Sequence, residues 1–280
     1  MTDKQMIDMA SPGVSRTEAC SLAAVRRVAA MLGLDPDDWQ EGDLLPRGWQ
    51  FILLGADTPR GALRGDGFPG LGVPLPDLGL PRLLIGGRSV CFVADITIGA
   101  SLRRDSRIET IQRKETARGP MALVTVAHEL SLTGTTVPAL VETQTYVLLG
   151  VAPPAAAPAS DPVGSALPAG SRTVVPDDTL LFQYSALGFN SHRIHLDRAY
   201  ARDVEGFPDL VVNGGLTTLL LTEHLRTAHG VSPSALKARY LAPLFCARPM
   251  TLSAEARADG WGLRAFDDAG RLAVDITVEA

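Results

Sequence analysis

Residues 151–172, VAPPAAAPASDPVGSALPAGSR, constrain this chain more than any other stretch. They are dominated by Ala, Pro, Ser and Gly with almost no bulky apolar side chain to bury, which is the composition of an extended, semi-stiff linker. A linker there divides a chain of 280 residues near its middle. Residues 1–150 and 173–280 are then two modest domains, and the 46 % hydrophobic content supports a real core.

The two flanks read alike. On the N-terminal side, Arg16 to Leu32 carries Ala19, Ala23, Val25, Val28, Ala29 and Leu32 at helical spacing behind Ser15 as a cap. Pro46 to Gly87 is rich in Pro and Gly, so loop is expected there with one short apolar segment at Trp49–Leu54. Strand-like runs follow at Ser89–Ile98, Leu102–Arg113, Met121–Thr133 and Val137–Leu149. The charged, Gly-ended turn from Arg113 to Gly119 suits an antiparallel hairpin. Beyond the linker the pattern predicts a strand at Thr179–Ser185, a short helix around Arg198–Val204 and a strongly apolar helix at Gly215–Ala228. Three strands are expected between Ala238 and Ala280, the last two joined by a turn at Phe266–Gly270. Helix and antiparallel strands recur on both sides, which reads as one αβ unit used twice, its N-terminal helix the weaker copy.

Charge excludes some partners. Lys+Arg 26 against Asp+Glu 31 gives a net charge of −5, which offers no field for a nucleic-acid backbone. Cys20, Cys91 and Cys246 are widely spaced and form no CxxC pair, so neither a disulfide framework nor a zinc site is indicated. The N-terminus lacks the apolar core of a signal peptide and no run approaches a membrane span, so no membrane partner is expected and the reading is cytoplasmic.

Chemistry concentrates in Phe182–Ala201, FQYSALGFNSHRIHLDRAYA. Asn190 and His195 place a carboxamide and a titratable base on one non-periodic loop. The apolar run Leu210–Leu216, with Asn213, Gly214 and Gly215 inside it, then opens a helix. A lone histidine is more often a hydrogen-bonded structural residue, so it is the company His195 keeps that points to a site. Two other patterns carry less. Gly65–Gly70 fits GxGxxG by letter, yet it contains a Pro and precedes no helix. His224 and His229 have no acidic partner at ligand spacing.

The run NSHRIHLDRAYA followed by EGFPDLVVNGGL resembles the MaoC-like hotdog superfamily, and more narrowly its mesaconyl-CoA hydratase and type 2 hydroxyacyl-thioester dehydratase branch. In the wider superfamily the loop reads G-D-F-N-P-I-H-x-D-P-x-Y-A. Without a gap, the catalytic Asp falls on Asn190 and the catalytic His on His195, while Asp197, Tyr200 and Ala201 take supporting positions. Further landmarks are Gly42–Trp49, Asp66–Pro69, Pro81-Arg82, Gly86–Arg88, Glu142–Gln144 and Tyr240–Phe245, so the resemblance spans nearly the whole chain. Asn190 for Asp is usual in the branch. Asn213-Gly214-Gly215-Leu216 stands where the branch has H-G-P-L, a departure that bears on loop geometry and activity.

The resemblance implies an α+β double hotdog, two repeats each with an antiparallel sheet wrapped around a central helix. The first repeat would be degenerate and serve as the substrate wall. It also implies a hydro-lyase that reversibly hydrates an enoyl thioester or dehydrates a 3-hydroxyacyl thioester, on CoA or an acyl carrier protein. No metal or redox cofactor is called for. A mesaconyl- or itaconyl-type acyl group and a homodimer are the branch expectations. In this reading His195 is the base and Asn190 orients the water. The N–H groups of Gly214 and Gly215 receive the carbonyl, with Asn213 beside them. His192 is either support for the site or plain loop structure. Arg193 and Arg198 could meet CoA or carrier phosphates, although surface arginines are usually just solvated. Asp197 reads as a helix cap and Tyr200 as packing. A polyketide- or fatty-acid-type dehydratase is the enzymatic alternative. A non-catalytic acyl-binding or dimer-partner subunit is the alternative from another class.

Overall fold

The computed structural model describes residues 13–70, 72–117, 119–150 and 170–280, together with the backbone of 5–7. Most of the Ala/Pro-rich stretch therefore lies outside the described residues. Eleven strands form one antiparallel sheet: β1 (Gln5–Ile7), β2 (Val14–Ala19), β3 (Arg82–Phe92), β4 (Ser101–Thr116), β5 (Gly119–Leu132), β6 (Leu140–Leu149), β7 (Arg172–Val174), β8 (Ala235–Tyr240), β9 (Met250–Arg257), β10 (Gly260–Phe266) and β11 (Leu272–Glu279). Their order is β1-β4-β5-β6-β3-β8-β11-β10-β9-β7, with β2 also on β4. The halves meet where β3 pairs with β8, from Gly87 opposite Arg239 to Cys91 opposite Ala235. The sheet is thus continuous across the sequence midpoint.

Among the described residues three α-helices complete the layers: α1 (Leu22–Met31), α2 (Asp178–Leu187) and α3 (Gly214–His229). Leu216, Leu219, Leu221 and Leu225 of α3 are fully buried, and the helix lies against β9 and β10. Gly230 closes it in the left-handed region at φ 68, where a side chain would be strained. Helix α2 of the second half packs on α1 of the first half. In the first half the Pro/Gly-rich segment brings Phe68, Val73, Leu78 and Leu80 into a cluster with Ile108, Ile111, Val124 and Val126.

Four local expectations are corrected. Thr179–Ser185 is helix, not strand: Asp177 caps it by accepting from the Leu180 N–H at 2.8 Å, and Leu181, Tyr184 and Ser185 bury one face. A short apolar-aromatic run is compatible with either element, and here the cap decides. The first helix begins at Leu22 behind Ser21, while Ser15 lies in β2 opposite Asp105, because Val14–Ala19 alternates between half-buried and exposed as an edge strand does. Strand β3 starts at Arg82, seven residues before Ser89, through a bulge between Ile85 and Gly87. The C-terminal region holds four strands rather than three, beginning at Ala235.

Candidate active site

The segment between α2 and α3 is held at many points. After α2, Phe189 takes a positive φ of 47 and the chain turns back, the Asn190 N–H donating to the Ser185 carbonyl at 2.7 Å. Asn190 Oδ1 accepts from the His192 N–H at 3.1 Å, which leads into a 3₁₀ turn over Arg193–His195. Asp197 then accepts from the Tyr200 N–H at 3.0 Å, as a cap should, and starts a single π turn over Tyr200–Val204. The return strand is pinned by Val211 N–H to Ile194 O at 2.9 Å and Val212 N–H to Leu244 O at 2.8 Å. It delivers Asn213 to the start of α3.

These contacts fix the state of His195. Its Nδ1 lies 2.7 Å from the Val211 carbonyl oxygen, which can only accept, so Nδ1 carries the proton and Nε2 keeps its lone pair. Burial pushes the imidazole down to about 3, and the neighbouring His192 ring, edge-on at 5.4 Å, acts in the same direction. Removing a charged ring from water costs more than the backbone hydrogen bond returns, so His195 is neutral near pH 7. His192 is likewise lowered to about 3 by burial, with Arg64 adding to the effect, and its Nε2 stands 3.7 Å from Asp66.

A cavity of about 250 Å³ opens beside this turn. Asn190, His192, His195, Asn213, Gly214 and Gly215 all line it, so six of the residues singled out in the sequence converge there. Both glycines are required by space. A Cβ on Gly214 would lie 2.8 Å from Ile85 Cγ2, and one on Gly215 would run into the Tyr184 hydroxyl. Asn213 caps α3 through its backbone alone, its side-chain nitrogen reaching Ser185 Oγ at 3.4 Å while its oxygen is buried without a hydrogen-bond partner among the described residues.

The two arginines weighed as phosphate contacts are engaged elsewhere. Arg193 pairs with Asp197 at 2.7 Å and lies 4.1 Å over the Tyr200 ring, and Arg198 bridges Asp178 and Asp209 at 2.7 Å each. Neither lines the cavity.

Sequence reasoning missed two groups. The first is the segment that failed as GxGxxG: it braces the turn, with Ser191 Oγ donating to Gly67 O at 2.7 Å and Arg193 N–H to Asp66 O at 2.9 Å. The contact is so close that Gly67 adopts φ +77 and a Cβ there would sit 2.6 Å from the Ser191 carbonyl oxygen. The second is a polar wall of the cavity built from Arg88 on β3, Gln144 and Tyr146 on β6, Tyr184 on α2 and Tyr240 on β8. Behind it Glu142 is 0 % exposed and pairs with Arg88 at 3.1 Å. The landmarks Gly86–Arg88, Glu142–Gln144 and Tyr240–Phe245 touched this wall, and they point to no chemistry by themselves.

Residues 48–246 match the family described as hydroxyacyl-thioester dehydratase type 2. A mesaconyl-C(4)-CoA hydratase from Chloroflexus aurantiacus is 34 % identical over 270 residues, 95 % of this chain and 96 % of that one. The mitochondrial hydroxyacyl-thioester dehydratase type 2 of Schizosaccharomyces pombe is 31 % identical over 98 residues, 34 % of this chain and 33 % of that one. Among solved structures, a MaoC-like dehydratase from Phytophthora capsici superposes with a TM-score of 0.72 at 14 % identity, covering 97 % of this chain and 96 % of the other. HtdX from Mycobacterium tuberculosis gives 0.67 at 18 % identity over 96 % and 99 % of the two chains. A further Mycobacterium tuberculosis protein with a double hotdog fold gives 0.53 at 18 % identity over 98 % and 94 %. The double hotdog architecture is therefore the fold of this chain.

Proposed function

We propose a reaction for this chain from the premise that it belongs to the hydroxyacyl-thioester dehydratase type 2 family and is a hydro-lyase of acyl thioesters. On that premise we propose that it adds water across the α,β double bond of a short enoyl thioester, and removes it in reverse, with His195 as the single proton carrier. The observation that carries this reading is the His195 Nδ1 to Val211 O hydrogen bond, which leaves Nε2 as the basic atom of a ring lining the cavity.

The steps balance on one imidazole. Nε2 takes a proton from water as the oxygen bonds to Cβ, and the electrons of the double bond move onto the thioester carbonyl. That oxygen is received at the start of α3, where the N–H groups of Gly214 and Gly215 precede the first intrahelical bond and the helix dipole favours negative charge. The imidazolium then returns the proton to Cα, restoring the neutral ring. Asn190 cannot titrate. It acts by orienting the water through its amide, while its oxygen holds the turn by accepting from His192.

We take the acyl group to be mesaconyl- or itaconyl-like and the carrier to be CoA, by similarity to the Chloroflexus relative. An acyl carrier protein is the alternative donor. We further take the working assembly to be a cytoplasmic homodimer, as the sequence reading expects. In the described residues no helix is long and apolar enough to cross a membrane. Incubating the protein with mesaconyl-CoA and with crotonyl-CoA, and following the loss of enoyl absorbance, tests the proposal. Hydration of at least one supports it, and none of either contradicts it.

A further inference from the structure

Arg88 is 9 % exposed and lines the same cavity as His195. The bulge at Gly86 sits two residues before it in β3, where an extra residue re-aims the side chains that follow. Glu142 neutralises its charge but does not use its donors. One Glu142 oxygen accepts from Gln144 at 2.6 Å and lies 3.1 Å from Arg88 Nε, and the other accepts from Gln50 at 3.1 Å. The two terminal guanidinium nitrogens have no protein partner among the described residues. Nor does the Tyr184 hydroxyl. Both groups meet at the first turn of α3, since a Cβ on Gly215 would contact the Tyr184 hydroxyl and lie 3.5 Å from Arg88 Nη2.

A guanidinium fork and a phenol with free donors, grouped at a helix N-terminus inside a cavity, match a full negative charge held on two oxygens. We propose that Arg88 and Tyr184 are the specificity-determining pair of this site, receiving the free carboxylate of the mesaconyl- or itaconyl-like acyl group. The inference rests on the reading of the cavity as an acyl-thioester site. A neutral alkyl tail in the same place would strip water from the guanidinium and return no hydrogen bond. The thioester carbonyl, carrying only partial charge, is served by the neutral amides of α3. Burial holds the Tyr184 hydroxyl well above its usual value despite the nearby Arg88 cation, so it donates rather than ionises.

The test compares binding of succinyl-CoA and butyryl-CoA by calorimetry, since their four-carbon acyl groups differ in a terminal carboxylate against a methyl. The wild-type protein is expected to favour succinyl-CoA on the order of tenfold or more, the worth of one or two charge-assisted hydrogen bonds. Arg88→Gln combined with Glu142→Gln, which avoids stranding a buried carboxylate, abolishes the preference. Tyr184→Phe reduces it while leaving the ion pair intact, and it decides the question should the double variant fail to fold. Equal wild-type affinities, no binding of either thioester, or an unchanged preference in the variants would overturn the receptor. A protein that keeps the preference yet hydrates no enoyl thioester retains the receptor and loses the reaction.

Discussion

Gly67 and Ser191 are locked together from opposite halves of the chain: the Ser191 hydroxyl donates to the Gly67 carbonyl at 2.7 Å, and Gly67 leaves no room for a Cβ beneath the Ser191 carbonyl. The N-terminal half thereby sets the height of the turn that carries His195. Placement of a base within a few tenths of an ångström matters because proton transfer depends steeply on distance.

Gly67→Ala tests that brace. A side chain at φ +77, pressed on the Ser191 carbonyl, is expected to cost about 1–3 kcal/mol of stability. It should also lower kcat/KM by about tenfold or more by displacing the turn. Urea unfolding and steady-state hydration assays read the two effects. Wild-type values in both would mean the loop is only a neighbour.

Asn190→Ala removes the acceptor for the His192 N–H and the amide proposed to orient water. The lost hydrogen bond should cost about 0.5–1.5 kcal/mol. The lost orientation should lower kcat on the order of 10²-fold with a smaller effect on KM. A change confined to KM would assign Asn190 to ground-state binding instead.

Arg88→Met by itself strands Glu142, which is 0 % exposed, without its cation. A buried carboxylate left uncompensated costs about 3–5 kcal/mol. Denaturant unfolding should show that loss, and most of it should return when Glu142→Gln is added. Equal stabilities of the single and double variants would contradict the pairing.

Acid should weaken the fold early. His192 and His195 are lowered to about 3 and His128 to about 4, each chiefly by burial. Between those values and the ordinary imidazole value near 6.5 the unfolded chain binds more protons than the folded one, so stability rises with pH. The contribution is complete above pH 6.5 and is lost as pH falls from there towards 4. Thermal midpoints between pH 7.5 and 4.5 check it, with His128→Asn expected to flatten the slope. A midpoint that rises on acidification would show that these rings are not held neutral.

How much was legible differs by element. The site turn was readable because Asn190, His195 and Gly214-Gly215 lie within one short stretch, where spacing and motif reinforce each other. Helix α3 was readable because its leucines recur at helical spacing from Leu216 to Leu225, with Gly230 following as a left-handed stop. Helix α2 was not, since LLFQY suits a strand as well, and only Asp177 marked a helix start. Arg88, Glu142 and Tyr184 escaped because β3, β6 and α2 bring them together from points far apart in sequence, and no local pattern records such a meeting. Gly67 was read as part of a failed GxGxxG match and of the landmark Asp66–Pro69, and neither points to a brace. Its reason is a backbone contact 124 residues away.

The most direct test of the account is the steady-state hydration of an enoyl-CoA by His195→Ala, with circular dichroism confirming the fold. Loss of the only proposed proton carrier should lower kcat/KM by about 10²–10⁴-fold, the usual worth of a positioned general base. Activity within a few-fold of wild type in a folded His195→Ala protein would contradict it.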